Sequence, residues 1–479
     1  MFKVRDQMKK HLKLLFLIAC SVFLHGCTEI NLDIKGAIHA PLLSNEQKGL
    51  KAALKEHTNG RPIKLIYPHK GEYMTPFFRQ KTDGKNNMFF VLYSDKENRR
   101  AVAKIGMLKK TNDSWKVISD ETIFESYNIE IEKVAFLKMS ENENKLLVIN
   151  GSATNKQAKK IALFKYDQTH MENVTTEDCT DAVAYDIDKD GLWELICVDR
   201  QSADVQVLKF DTNSKNKLKR YSTVLKQDKK LIGHHKITIG PLKNGNFAIF
   251  VDEVVYSEKF KSEMLLTEIL EFSKRKIYNQ TYKVWDYQNE TDYDITELTQ
   301  RDVGIELRDV DNDGCLEIPR EVYIADQVEG KDLKQINWLT FSENALETKK
   351  VTLVNSLTPY TLELPEKWIK FQTKHLNGNK FTLKEASIGV KYEFKVEENK
   401  NRLTIYDHVT DEEYLCIYAI SKNENTKNEF VMFESDKDYV YYVRVAKDNP
   451  DIDVEKLKKY LKIGKQISES SSDLLLNQI

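Results

Sequence analysis

The sequence has 479 residues, with 73 Lys and Arg against 74 Asp and Glu. Charge this even excludes the strong positive field that nucleic-acid binding demands, and paired lysines such as Lys159-Lys160 and Lys229-Lys230 read as solvated surface. The length allows two or three domains, or one large repeat array with a satellite.

In chain order, Lys3, Arg5, Lys9, Lys10 and Lys13 form a basic start before the apolar run Leu14 to Leu24. A basic region followed by a short apolar region is the pattern of a secretory signal. Eleven apolar residues are too few to cross a bilayer core of roughly 30 Å as a helix. Residues 1–26 are therefore expected to be removed on export, which leaves 68 basic against 73 acidic residues. Leu24-His25-Gly26-Cys27 resembles the lipobox of bacterial lipoproteins, with His25 where that motif has a small residue. The resemblance implies that Cys27 is acylated and becomes the new N-terminus, holding the protein on the outer face of a membrane through several acyl chains. The alternative is an ordinary signal peptide cut near Gly26.

Residues 27–62 read as a tether and a short helix. Ser44 and Gln47 have capping-box spacing, Leu50, Ala53, Leu54 and His57 share one helical face, and Asn59-Gly60 ends the helix. From 63 to 356 short runs of β-formers recur, among them MFFVLY at 88–93, IALFKY at 161–166, LWELICV at 192–198, VQVLKF at 205–210 and FAIFV at 247–251. Polar turns around Asp83-Gly84, Ser140 to Asn144, Asp186 to Gly191, Lys243 to Gly245 and Asp309 to Gly314 follow one another at roughly 50 to 65 residues. Such units cannot bury both faces alone and must pack on their neighbours. The fold class expected is mainly β: a β-propeller-like repeat array of about five to seven blades, with a β-sandwich as the alternative. Residues 357–479 are expected to form a smaller C-terminal α+β domain with alternating strands, a last helix from Val454 to Ile463, and a serine-rich tail from Ser468.

The strongest chemical signal is a pair of acidic loops. Asp186, Asp188, Asp190, Gly191 and Glu194 repeat the spacing of Asp309, Asp311, Asp313, Gly314 and Glu317, so both loops read DxDxDGxxE. Calcium takes six to eight oxygen ligands. Carboxylates at positions one, three, five and nine, with the carbonyl at seven (Leu192 or Cys315), supply that shell, and glycine at six permits the turn. An EF-hand needs a glutamate at position twelve between helices. Here position twelve is Cys197 or Arg320 and the flanks are strand-like, so two structural calcium sites in strand-loop-strand form are expected.

This arrangement resembles the FG-GAP/VCBS type of repeat found in cell-surface propellers. More closely, the chain is similar to a group of uncharacterised clostridial-type (Firmicutes) lipoproteins. The shared pieces are the lipobox, the PLLSNEQK helix, the segment from Tyr67-Pro68 to Tyr73, the two acidic loops and the LELPEKW stretch, which together span most of residues 24–368. The resemblance implies a β-propeller with structural calcium and no known catalysis.

No HExxH, GxSxG, P-loop or dinucleotide fingerprint occurs, so no catalytic residue is assigned. Neighbours on a strand point to opposite faces, so His234-His235 is not expected to chelate one ion. Cys179, Cys197, Cys315 and Cys416 contain no CxxC pair and do not look like a disulfide framework. The function expected is an extracytoplasmic, membrane-anchored binding or scaffold module for a surface protein or glycan. The alternatives are an enzyme acting on envelope polysaccharide and a subunit of an envelope complex.

Overall fold

The computed structural model describes residues 44–80, 88–97, 100–126, 130–140, 144–151, 159–211, 217–227, 230–283, 293–322, 333–342, 344–376, 381–397, 400–422, 430–446 and 452–464. The leader, Cys27 and the tether up to residue 43 lie outside these residues. So do the Asp83-Gly84 turn, most of the Ser140–Asn144 turn and the serine-rich tail. Among the described residues no helix is long and apolar enough to cross a membrane. The chain divides into two compact units, residues 1–61 with 110–116, and residues 62–109 with 117–479.

In the first unit, helix α1 spans Asn45–His57. The Ser44 hydroxyl accepts the Gln47 N–H at 3.2 Å, and the Ser44 N–H donates to Gln47 Oε1 at 3.1 Å. This is the reciprocal cap that the spacing predicts. Leu50, Ala53 and Leu54 form the buried face. His57, expected on that face, is exposed, because in the last turn a basic ring is favoured by water and the negative helix end. Thr58 is buried instead and donates its hydroxyl to the Leu54 carbonyl at 3.0 Å. A Cβ at Gly49 would fall 2.8 Å from Trp115 Cδ1, so only glycine admits that ring.

The second unit is mainly β, and four of its sheets contain a four-stranded antiparallel meander in which each strand pairs with the next. The first sheet holds Lys64–Leu65, Phe77–Phe78, Met88–Glu97, Arg100–Thr111 and Ser114–Ser126, the tip of its last hairpin belonging to the first unit. The second holds Glu130–Leu137, Asn144–Gly151, Lys159–Tyr166 and Met171–Cys179. The third holds Asp181–Tyr185, Glu194–Asp199, Asp204–Asp211 and Lys217–Val224. The fourth holds Leu231–Pro241, Phe247–Ser257, Ser262–Ser273 and Lys276–Asn279, with Arg301–Asp302 added beside its third strand. The fifth begins with Ile318–Val322, Leu333–Ser342, Ala345–Asn355 and Tyr360–Glu363.

Successive sheets share apolar cores. The first and second meet through Phe90, Ile105, Val134, Phe164 and Tyr166, with the Phe90 and Tyr166 rings edge to face at 4.8 Å. The second and third meet through Leu163, Cys179, Leu195 and Leu208. The third and fourth meet through Ile196, Val205, Ile249 and Leu270. The fourth and fifth meet through Phe250, Ile269, Leu339 and Phe341. Last strands such as Met171–Cys179 and Lys217–Val224 alternate between half-buried and exposed positions over most of their length.

The fifth sheet runs across residue 357. Leu461–Ile463 pairs with Tyr360–Leu362 on its outer side, and Phe381–Ile388 lies parallel to Ala345–Glu347 while pairing with Ile369–Leu376. Helix α2 covers only Val454–Tyr460, capped by Asp453, whose carboxylate accepts the Lys456 N–H at 2.7 Å. The helix expected to reach Ile463 stops there because the next three residues find ladder partners at the sheet edge. A sixth, five-stranded sheet holds Lys391–Glu397, Lys400–Tyr406, Glu413–Ser421, Val431–Ser435 and Tyr439–Val445. It shares a core with the fifth through Leu353, Leu362, Leu403, Ile417 and Tyr441.

Buried ions cross-brace the fourth sheet. Arg301 and Asp252 are both fully buried and paired at 2.7 Å. Thr267 donates to Asp252 at 2.6 Å, and Arg301 also donates to the Ile305 carbonyl at 2.7 Å. Breaking such a pair strands a desolvated charge. Asp252→Ala is therefore expected to cost about 3–5 kcal/mol in urea unfolding; a loss below about 1 kcal/mol, the size of a surface pair, would contradict the assignment.

At the junction with the third sheet, Arg200 pairs with Glu253 at 3.0 Å, both nearly inaccessible. Glu268 accepts the Lys226 N–H at 3.0 Å and the Asn279 amide at 2.6 Å. Burial raises both carboxyls above the ordinary glutamate value of 4.5, and their mutual repulsion adds to this for Glu253; Glu268 reaches about 7. The folded chain thus holds protons that the unfolded chain has released, so these groups contribute less stability as pH rises from 4.5, up to about 7 for Glu268 and about 9 for Glu253. The stability of Glu253→Gln relative to the parent is expected to improve by about 1 kcal/mol or more between pH 5 and pH 8. A pH-independent difference in unfolding free energy would contradict it.

Candidate metal centres

The two acidic loops are each closed at their ends by antiparallel pairing. Asp186–Glu194 closes the hairpin between the first two strands of the third sheet, where Tyr185 pairs with Glu194. Asp309–Glu317 is closed by a bridge between Arg308 and Glu317, immediately before the fifth sheet. In both, the residue before the first aspartate faces the glutamate at position nine. The ladder therefore folds the glutamate back beneath the aspartates.

The internal bonding repeats as well. Asp186 accepts the N–H groups of Asp190 and Gly191 at 3.0 and 2.9 Å. Asp309 accepts those of Asp313 and Gly314 at 3.2 and 2.9 Å. The fifth-position carboxylates take the seventh N–H, Asp190 from Leu192 at 2.9 Å and Asp313 from Cys315 at 2.8 Å. The ninth-position carboxylates take the second N–H, Glu194 from Ile187 at 3.0 Å and Glu317 from Val310 at 2.9 Å. Gly191 and Gly314 have φ of 85° and 86°, and no atom lies within 4 Å of a Cβ built on either. Backbone conformation, not space, requires glycine at position six.

Asp186, Asp188 and Glu194 each place a carboxylate oxygen within 4.8 Å of the others, as do Asp309, Asp311 and Glu317. Asp190 and Asp313 stand outside these trios. The loops lie between strands, not helices. The Leu192 side chain is buried and that of Cys315 half-buried. Glu194 and Glu317 are fully buried, and burial pushes both carboxyls up to about 7. Each loop therefore concentrates negative charge around an inaccessible carboxylate, an all-oxygen set suited to a hard cation.

The loops differ in what faces the glutamate. In the third sheet it is Lys209, whose ammonium lies 2.7 Å from Asp188, Asp190 and Glu194 alike. Burial alone would lower its pKa, but the three carboxylates outweigh this and hold it charged. In the fifth sheet the same place is taken by Thr340, whose hydroxyl donates to Glu317 Oε1 at 2.9 Å. No local pattern singles out Lys209 among the many lysines; its signal in the sequence is the parallel between Leu208-Lys209-Phe210 and Leu339-Thr340-Phe341.

The histidine pair does not converge. His234 bonds Asp181 at 3.2 Å and His235 bonds Glu306 at 3.3 Å. The degenerate turn at Lys243–Gly245 is a plain reverse turn, closed by a Gly245 N–H bond to the Leu242 carbonyl at 2.8 Å.

No family model matches the chain, and no curated protein does. Solved structures similar to parts of it include MPT-4, a mannose phosphorylase from Leishmania mexicana in complex with phosphate ion. That structure is 12% identical over 62% of this chain and 90% of its own, with a TM-score of 0.16. A GH43_1 enzyme from Xanthomonas citri is 7% identical over 77% and 88%, with a TM-score of 0.17. Scores of this size fix neither topology nor activity.

Proposed function

We propose that the chain is a lipid-anchored extracytoplasmic binding or scaffold module, built as a β-propeller braced by calcium. The blade reading is supported by four consecutive four-stranded meanders and by the apolar cores shared between neighbours, each sheet burying its faces on the next. The calcium reading is carried by Asp309–Glu317. Its three converging carboxylates and the acid at position five have no ion-pair partner among the described residues. The oxygen-only donor set favours calcium over softer metals, and extracellular modules bind calcium at its outside concentrations. The anchor reading rests on the basic and apolar start and on Leu24 to Cys27.

A scaffold role fits the buried acids best. Glu253 and Glu268 are held by Arg200, Asn279 and the Lys226 backbone inside a sheet junction, where they brace packing. Membership of an envelope complex is a second reading, favoured by the sixth sheet. Its strand Val431–Ser435 exposes Val431 and Met432 beside a hollow of about 540 Å³ lined by Glu413, Val443 and Arg444.

An ion bound only to the folded state stabilises it by mass action. Adding EDTA to the calcium-loaded protein is expected to lower the melting temperature, by an amount matching roughly 2–4 kcal/mol, and Asp311→Ala should reproduce the loss and remove the EDTA response. Superimposable melting curves with and without chelator would reject the calcium reading. Cys27→Ser is expected to move the protein from the membrane fraction to the medium; retention in the membrane would reject the lipid anchor.

A further inference from the structure

We propose that the Lys209 ammonium is the built-in cation of the first acidic loop, so that this loop takes no metal and the chain binds one divalent cation, at Asp309–Glu317. This rests on the calcium reading above and corrects its stoichiometry, since the shared DxDxDGxxE spacing by itself calls for two ions.

The observation that separates the loops comes from a strand outside either acidic segment. Lys209 lies on Asp204–Asp211, and its ladder register places it opposite Glu194. From there one ammonium reaches carboxylates at positions three, five and nine, each at 2.7 Å. An ammonium has three donors and no acceptor, so these contacts use its full capacity. Its side chain is 15% exposed, and its nitrogen occupies the place where oxygens from Asp188 and Glu194 converge. A calcium ion there would have to expel a tethered positive charge and break three charge-assisted bonds before gaining its own ligands. The other lysine of the loop, Lys189, points elsewhere: it donates to the Gly245 carbonyl at 2.9 Å and lies over the Phe247 ring.

The second loop has the same backbone and no such charge. Register places Thr340 opposite Glu317, the position that Lys209 holds opposite Glu194. Threonine supplies one hydroxyl donor and leaves the net charge of Asp309, Asp311 and Glu317 uncompensated. The nearest base in sequence, Arg308, stacks over the Trp338 ring at 4.5 Å. One framework therefore appears twice, once with an intramolecular cation and once with a place for an external one. Lys209 against Thr340 is the residue difference that selects between them.

The test is calcium stoichiometry on the purified full chain, stripped with EDTA, dialysed and titrated with calcium chloride in a calorimeter. The parent protein should bind one calcium per chain, Lys209→Thr two, and Thr340→Lys none. Asp311→Asn should abolish binding in the parent and Asp188→Asn should leave it at one, which keeps the proposal testable if Lys209→Thr fails to fold. Two ions in the parent, or one in Lys209→Thr, would overturn the role of Lys209 while leaving the calcium reading intact. Loss of binding in Asp188→Asn would overturn it in the same way. Absence of binding in all three of the parent, Lys209→Thr and Asp188→Asn would overturn the calcium reading, and this proposal with it.

Discussion

A four-stranded meander with apolar residues on both faces cannot be stable alone, and this constraint shapes the second unit. Inner strands are buried on both faces where sheets meet; Glu194–Asp199, for example, is buried at five consecutive positions. Alternation would give one wet face and one dry face, and these strands have two dry ones. The only way to satisfy them is to stack sheets, and the third sheet does so on both sides, sharing Leu195 and Leu208 with the second and Ile196 and Val205 with the fourth. At roughly 25 cal/mol for each Å² of apolar surface buried, these shared cores dominate the favourable side of folding.

Stacking leaves loops at the sheet ends, such as Asp186–Glu194 and Asp309–Glu317, and there the chain concentrates charge. A carboxylate at the base of such a loop is drawn inside by the ladder, as Glu194 and Glu317 are, and its desolvation must be offset by a cation or by proton uptake. Where the strand beyond carries lysine, the offset comes from the protein. Where it carries threonine, a hydroxyl gives partial relief and the charge remains. The same logic appears deeper in the fourth sheet, where Arg301 and Asp252 neutralise each other with no solvent contact. Buried charge is thus handled in this molecule by pairing wherever a partner strand can deliver one.

Much of the architecture was legible in sequence because its signals are local. The Ser44 and Gln47 cap, the apolar runs at 88–93, 161–166 and 205–210, and the turn glycines at 191 and 314 each depend on neighbours within a few residues. The polar last strands were not legible. Met171–Cys179 and Lys217–Val224 consist largely of charged and hydroxyl residues, and become strands because the adjacent strand offers a free row of hydrogen-bonding groups. The end of α2 was missed for the same reason, since Leu461–Ile463 leaves the helix to pair with Tyr360–Leu362, about a hundred residues away in sequence.

By itself the sequence determined which segments are strands with two dry faces and where acidic loops of fixed spacing lie, since both follow from residue type and short-range periodicity. Only the tertiary structure decided what each loop faces. The two loops are identical in every acidic position, yet register across the sheet puts an ammonium over one and a hydroxyl over the other. That difference is set by strand pairing between residues that local pattern cannot connect.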